Sequence, residues 1–105
     1  MNVIVTRHKA LVRWLEKQGY ICPGSYFRAI HVDPEAMLGN DIICTNLISL
    51  PLMALANSVT IIPLSLTPED RESPWLSYER ICEIAGDPVT YKVTLMDPLP
   101  LLPPP

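Results

Sequence analysis

Short apolar runs rich in β-branched residues alternate with amphipathic stretches along this chain, a pattern typical of an α/β fold. β-Branched side chains pack well on a pleated surface, so such runs predict strands. The pattern places five of them, at 2–6, 26–32, 41–45, 59–66 and 89–96. Pro63 lies inside the fourth run and cannot donate to a sheet ladder. It therefore indicates an edge position or an early end of that strand.

The stretches between these runs predict three helices, at 10–19, 49–57 and 77–85. In the first, the apolar residues of one helical stripe are Ala10, Leu11, Trp14 and Leu15. Gly19 is placed to end that helix. Ser49 is a good N-cap for the second, and Pro51 fits its first turn, where a missing N–H does little harm. Residues 67–76 are predicted to form a charged, solvated loop, with a lid as the alternative.

The resulting order β-α-β-β-α-β-α-β predicts a small doubly wound, mostly parallel sheet flanked by helices. A chain of 105 residues has room for one domain, which we place at residues 1–96. Residues 97–105 hold five of the twelve prolines, so we expect an extended C-terminal tail there.

Charge narrows the possible ligands. The net charge of −3 argues against DNA and other broad nucleic-acid binding, which needs many Lys and Arg contacts to phosphate. Residues 1–20 are nevertheless basic, with Arg7, Lys9, Arg13 and Lys17 against Glu16 alone. Such a corner can hold one small anionic ligand. The alternative is a solvated helix face.

Targeting and metal signals are weak in this sequence. Cys22, Cys44 and Cys82 show no metal-ligand spacing, and an odd count suits a reducing compartment. The chain opens directly into a strand, without the pattern of a signal peptide. Its longest apolar stretch, 47–56, is shorter than the roughly 20 residues that a membrane span needs. We therefore expect a cytoplasmic protein with no membrane contact, metal or cofactor.

One short pattern leaves a metal site open as the minor alternative. His31 and Asp33 form an HxD pair with Asp41 nearby, but no further ligand stands at a recognisable spacing. The glycine-rich signatures of dinucleotide and P-loop triphosphate binding are absent from the sequence.

In doubly wound sheets, ligands bind beyond the carboxyl ends of the strands, where the connections change sides. That rule points to the residues that end the first and third predicted strands, namely Thr6, Arg7 and His8, and Thr45 and Asn46. Each group precedes a helix, whose free N–H groups favour phosphate. Arg7 can bind a phosphate through two hydrogen bonds, and His8 can exchange protons near neutral pH. These residues together suit a phosphodiester ligand.

Structural roles are the alternatives for the same residues. Thr6 and Thr45 are good helix-capping residues. Arg7 can form a surface ion pair, and His8 can face solvent in the first helical turn. Sequence patterns alone leave these alternatives open.

Three stretches resemble a known family. They are Val5-Thr6-Arg7-His8 with the helix to Gly19, Gly39-Asn40-Asp41-Ile42-Ile43-Cys44-Thr45 with its helix, and Ile62-Pro63-Leu64-Ser65-Leu66. The chain is similar, from residue 3 to about residue 95, to the small stand-alone ring nucleases associated with type III CRISPR systems. The Thr-Arg-His at the strand end is the most specific part. The chain departs from the family pattern at Cys44, where the family has glycine, and at Asn46 and Ser49.

The resemblance implies a Rossmann-like fold and a defined reaction. Such proteins form a homodimer that binds cyclic tetra-adenylate across its two-fold axis. They cut the ring without a metal to linear di-adenylate with 2′,3′-cyclic phosphate ends, which switches off the antiviral signal. Here the resemblance implies Arg7 and His8 as catalytic residues, and Thr6, Thr45, Asn46 and Ser49 as ligand-binding residues. Two other functions stay open: a protein that sequesters the same ring without cutting it, and an interaction module without a nucleotide ligand.

Overall fold

The structure is a computed structural model that describes residues 2–46 and 48–94. Five strands form one sheet: β1 (Asn2–Val5), β2 (Tyr26–Ala29), β3 (Asp41–Cys44), β4 (Ser58–Ile61) and β5 (Val89–Tyr91). Their order across the sheet is β2-β1-β3-β4-β5. The first four strands run parallel, and β5 pairs antiparallel with β4. The predicted mostly parallel, Rossmann-like α/β sheet is therefore confirmed.

Helices cover both faces of this sheet. They are α1 (Lys9–Lys17), α2 (Pro34–Met37), α3 (Leu50–Leu55), α4 (Pro68–Glu72) and α5 (Tyr78–Ile84). α1 contacts α5 on one face, and α2 contacts α3 on the other. Within the described ranges, no helix is long and apolar enough to cross a bilayer.

The core lies in two layers because successive strand residues point to opposite faces. Ile4 and Ile43 pack towards α1 and α5, with Leu11, Trp14, Leu15 and Ile81. Val3 and Ile42 pack towards the other face, with Met37 and Met53. The strands are apolar on both faces, as expected for a parallel sheet that is buried between helices.

α1 ends two residues before Gly19, the glycine that the sequence marks as its stop. The Gly19 N–H donates to the carbonyl of Glu16, and the Tyr20 N–H donates to the carbonyl of Leu15. These two bonds form a Schellman motif, which needs a left-handed residue at its turn. Gly19 supplies it with a φ of +80°.

Several predicted strands are shorter in the structure. β4 ends at Ile61 rather than residue 66, so Pro63 marks an early strand end. The Pro63 carbonyl instead accepts a hydrogen bond from the Gly86 N–H at 2.7 Å. β2 ends at Ala29 rather than residue 32, and β5 ends at Tyr91. Residues 95–96 of the predicted last strand and the predicted tail at 97–105 lie outside the described residues.

The prediction of a loop over residues 67–76 is wrong for α4. Thr67 caps this helix through a capping box with Asp70. The Asp70 carboxylate also accepts two hydrogen bonds from Arg80 of α5, at 2.9 and 2.7 Å. This bidentate pair holds the pKa of Asp70 well below its ordinary range. The charged segment is thus a short helix that is fixed to α5.

A matched pair of substitutions tests where the core lies. Leu15 is fully buried, whereas Leu38 is 66% exposed. Leu15→Ala should lower the free energy of unfolding by about 2–5 kcal/mol, because it removes buried methyl groups and leaves a cavity. Leu38→Ala makes the same chemical change and should leave the urea midpoint almost unchanged. Equal losses in urea denaturation would contradict this assignment of the core.

Candidate functional site

A cavity of about 510 Å³ opens at the carboxyl ends of the parallel strands. The strand order changes direction between β1 and β3, which is the point where ligands bind in sheets of this type. Four strand ends supply most of the lining: Thr6, Arg7 and His8 after β1, Ile30, His31 and Val32 after β2, Thr45 and Asn46 after β3, and Leu64 and Leu66 after β4.

The loop after β1 is held in a fixed turn. The Thr6 N–H donates to the Ala29 carbonyl of β2 at 2.8 Å. The Thr6 hydroxyl accepts a hydrogen bond from the His8 N–H at 3.0 Å. His8, rather than Thr6, is the N-cap residue of α1. The Thr6 side chain therefore shapes the turn that directs Arg7 and His8 into the cavity.

Arg7 and His8 are in contact at the cavity wall. The Arg7 Nε–H donates to His8 Nε2 at 3.4 Å. Within residues 2–46 and 48–94, Arg7 forms no ion pair with a carboxylate, so the surface ion pair considered above is not formed there. His8 Nδ1 is buried and has no hydrogen-bond partner in the described structure.

Burial and two nearby cations set the protonation of His8. Burial lowers its pKa below the ordinary value of 6.5, and the charges of Arg7 and Arg28 lower it further. Each of these effects disfavours the imidazolium form. At neutral pH His8 is therefore an uncharged imidazole, and its Nε2 lone pair faces the Arg7 guanidinium.

Arg28 is a site residue that sequence reasoning missed. Its Nη2 donates to the Arg7 carbonyl at 3.0 Å, so it braces the turn from the neighbouring strand. Arg28 pairs in register with Ile4 of β1. Only that register brings it near His8, because the two residues lie far apart in the sequence.

The loop after β3 forms the opposite wall. Thr45 is partly buried and Asn46 is exposed, and both line the cavity. The buried Cys44 thiol donates to the Asn46 carbonyl at 3.2 Å. Burial raises the pKa of Cys44 to about 11, so the thiol stays protonated at neutral pH. Its role here is to shape the wall.

Five of the six predicted site residues meet in this cavity, and Ser49 does not. Ser49 is exposed at the N-cap of α3, makes no capping hydrogen bond through its side chain, and lies outside the cavity lining. Thr45 also caps no helix, because α3 begins several residues later. The capping roles considered for Thr6 and Thr45 are thus not formed.

The cavity combines basic, polar and apolar surfaces. Among the described residues that line it there is no carboxylate, although the whole chain carries 11 acidic residues. Arg7 and two imidazoles supply the basic surface. The apolar part of the lining includes Ile30, Val32, Ile48, Leu64 and Leu66. Such a surface suits an anion that is attached to a flat or apolar group.

His31, Asp33 and Asp41, the possible metal ligands of the alternative hypothesis, do not lie together in the structure. His31 lies at the carboxyl edge of the sheet, whereas Asp41 begins β3 at the opposite edge. Asp33 instead caps α2, accepting a hydrogen bond from the Glu35 N–H at 3.1 Å. Within the described ranges, no three His, Cys, Asp or Glu side chains are grouped so that they could hold a metal ion.

No protein-family model, curated protein or solved structure matches this chain. The chemistry that the cavity can perform is inferred here from the side chains that line it. A guanidinium can bind an anion, an imidazole can move a proton, and hydroxyl and amide groups can orient a ligand.

The protonation of His8 can be tested directly. In the folded protein His8 should titrate below 6.5, as followed by the NMR shift of its ring Cε1–H. Arg28→Ala removes a positive charge that disfavours imidazolium, so the His8 midpoint should rise. Lys17→Ala removes a positive charge from the far end of α1 and should leave the midpoint in place. A midpoint above 6.5 in the unaltered protein, or equal shifts in both variants, would contradict this account.

Proposed function

We propose that this protein is a ring nuclease that binds cyclic tetra-adenylate as a homodimer and cleaves it, without a metal, to linear di-adenylate. The observation that carries this proposal is the cavity at the β1/β3 switch point, whose described lining holds no carboxylate and in which Arg7 and His8 are in contact. A guanidinium can stabilise charge on a phosphate, and a neutral imidazole can accept the proton of an attacking hydroxyl. The resemblance of the Thr-Arg-His turn to type III CRISPR ring nucleases supports the same reaction.

The ligand would be held by the groups that line the cavity. Arg7 is exposed and can place two N–H donors on one phosphate. Thr45 and Asn46 offer a hydroxyl and an amide from the opposite wall, and the apolar surface suits adenine. Thr6 would act mainly through the turn that it holds. Ser49 would contact only a ligand that extends beyond the cavity.

The proposed reaction is an in-line displacement at phosphorus. The ribose 2′-hydroxyl attacks the adjacent phosphorus, and the 5′-oxygen leaves, so a 2′,3′-cyclic phosphate forms. Holding the three reacting atoms in line supplies much of the rate, because the displacement can occur only from that conformation. Arg7 would stabilise the charge that develops on the phosphate oxygens. The ribose itself supplies the nucleophile.

A dimer would match the symmetry of the ring. Cyclic tetra-adenylate has its own rotational symmetry, and a C2 dimer presents two identical sites facing each other. A cavity of about 510 Å³ on each protomer is within the range of roughly 300–1,000 Å³ that is usual for small-molecule sites. Each protomer would then hold half of the ring.

Sequestration of the same ring is the second candidate. It is favoured by the contact between Arg7 Nε and His8 Nε2, which occupies the lone pair that a base would need. A protein of that kind needs the basic surface and the apolar wall but no proton transfer.

Cleavage in EDTA separates these functions. Wild-type protein should convert cyclic tetra-adenylate to linear di-adenylate with 2′,3′-cyclic phosphate ends, as measured by chromatography. Arg7→Ala should slow single-turnover cleavage by a factor on the order of 100 or more, because it removes a donor to the transition state. Lys17→Ala removes the same charge at the other end of α1 and should cleave at the wild-type rate.

Each other result has a defined meaning. Intact ring that is bound tightly at stoichiometric protein would favour sequestration. If the protein does not cleave the ring and shows no thermal shift with it, both functions are contradicted and an interaction module remains. Equal rates for wild type and Arg7→Ala would remove Arg7 from the site.

A further inference from the structure

His31 is the second imidazole in the cavity, and it enters from a different strand. His8 follows β1 and His31 follows β2, and both line the same cavity. The two strands leave the sheet side by side, because Val5 pairs with Ala29 and the Thr6 N–H donates to the Ala29 carbonyl. His31 is exposed, and its side chain makes no hydrogen bond within the described ranges. The sequence patterns indicated His31 only as one member of the HxD pair of a possible metal site.

The proposed reaction needs two proton-transfer groups rather than one. A proton must leave the 2′-oxygen as it attacks, and another must reach the 5′-oxygen as it departs. In an in-line displacement these two oxygens stand on opposite sides of the phosphorus, so one side chain cannot serve both in the same step. His8 and His31 line one cavity from different strands, so the two roles can fall to separate side chains.

The other titratable groups of the described lining are unsuited to this task. Arg7 holds its proton too tightly to release it at ordinary pH. The Cys44 thiol is buried and donates to the Asn46 carbonyl. Asp33, the carboxylate nearest to His31 in the sequence, is engaged as the cap of α2. His8 and His31 are the pair that remains.

We propose that His31 is the general acid of ring cleavage and that His8 is its general base, an assignment that rests on the proposed function. The proton of the 2′-hydroxyl passes to His8 Nε2 as the O2′–P bond forms. A proton from the His31 imidazolium passes to the 5′-oxygen as the P–O5′ bond breaks. The products are a 2′,3′-cyclic phosphate and a 5′-hydroxyl, and no co-reactant is consumed.

The contacts of His8 favour its role as the base and leave the role of the acid to His31. The Nε2 of His8 accepts the Arg7 N–H, so that nitrogen carries a lone pair rather than a proton. Burial, followed by the positive charges of Arg7 and Arg28, lowers the pKa of His8 and favours the neutral form. Arg7 would turn from His8 to the phosphate when the ligand binds, which frees Nε2 beside the reacting group.

The pH dependence of single-turnover cleavage tests these roles. The wild-type rate should form a bell, since one imidazole must be neutral and the other protonated. His8→Ala should lose the acidic limb, and His31→Ala should lose the alkaline limb. Each variant should be slower near neutral pH by a factor on the order of 100 or more. Glu35→Gln, an exposed change nearby on α2, should keep the full bell.

A substrate with an improved leaving group distinguishes acid catalysis from a structural effect. In cyclic tetra-adenylate with sulfur in place of a bridging 5′-oxygen, the departing thiolate needs no proton. With that substrate, His31→Ala should cleave at near the wild-type rate. With the normal ring, both His8→Ala and His31→Ala should stay slow. His8→Ala should not be restored by the sulfur substrate.

The outcomes separate this assignment from the function on which it rests. If wild type cleaves the ring while His31→Ala keeps its alkaline limb, or is not restored by sulfur, the assignment to His31 fails and the nuclease stands. If wild type cleaves no cyclic tetra-adenylate, both fail. Circular dichroism of each variant confirms folding, which we expect because both imidazoles lie at the sheet edge rather than in the core.

Discussion

Parallel pairing of β1 between β2 and β3 is the contact on which both the core and the cavity depend. It buries Val3 and Ile4 on opposite faces of the sheet, so that two helical layers pack against one strand. It also ends three strands at the same edge of the sheet. Because the connections leave β1 and β3 towards opposite faces, a gap opens between their ends. The cavity is that gap, and its walls are the first residues of each connection.

Electrostatics at this edge depend on the same pairing. Arg28 reaches the Arg7 carbonyl across β1 and β2. Burial lowers the pKa of His8, and the charges of these two cations lower it further. The acidic residues within 2–46 and 48–94 lie outside the cavity lining, and two of them make structural contacts. Asp70 fixes α4 to α5, and Asp41 accepts hydrogen bonds from Asn57 and Ser58 at the opposite edge. A chain with negative net charge thereby presents a basic cavity.

Local rules predicted most of the elements but misjudged their ends. Pro63 and Gly19 act through their own backbones, so their effects on β4 and α1 could be foreseen. α4 was mistaken for a loop because its apolar content is low. Its stability comes instead from the capping box of Thr67 and from the ion pair with Arg80, which lies ten residues beyond Asp70. The pattern of hydrophobic residues along a sequence carries no information about such a contact.

Sequence patterns were enough to predict the α/β class and to place Thr6, Arg7 and His8 at the end of a strand. These follow from periodicity and from side-chain chemistry, which are local properties. Chain folding, by contrast, sets three further placements. Arg28 and His31 lie beside these residues, Ser49 lies outside the cavity, and Asp41 lies at the opposite edge. The register of β1 with β2 and with β3 accounts for the positions of Arg28, His31 and Asp41. It brings together residues more than twenty positions apart, and it is fixed by the packing of the whole sheet.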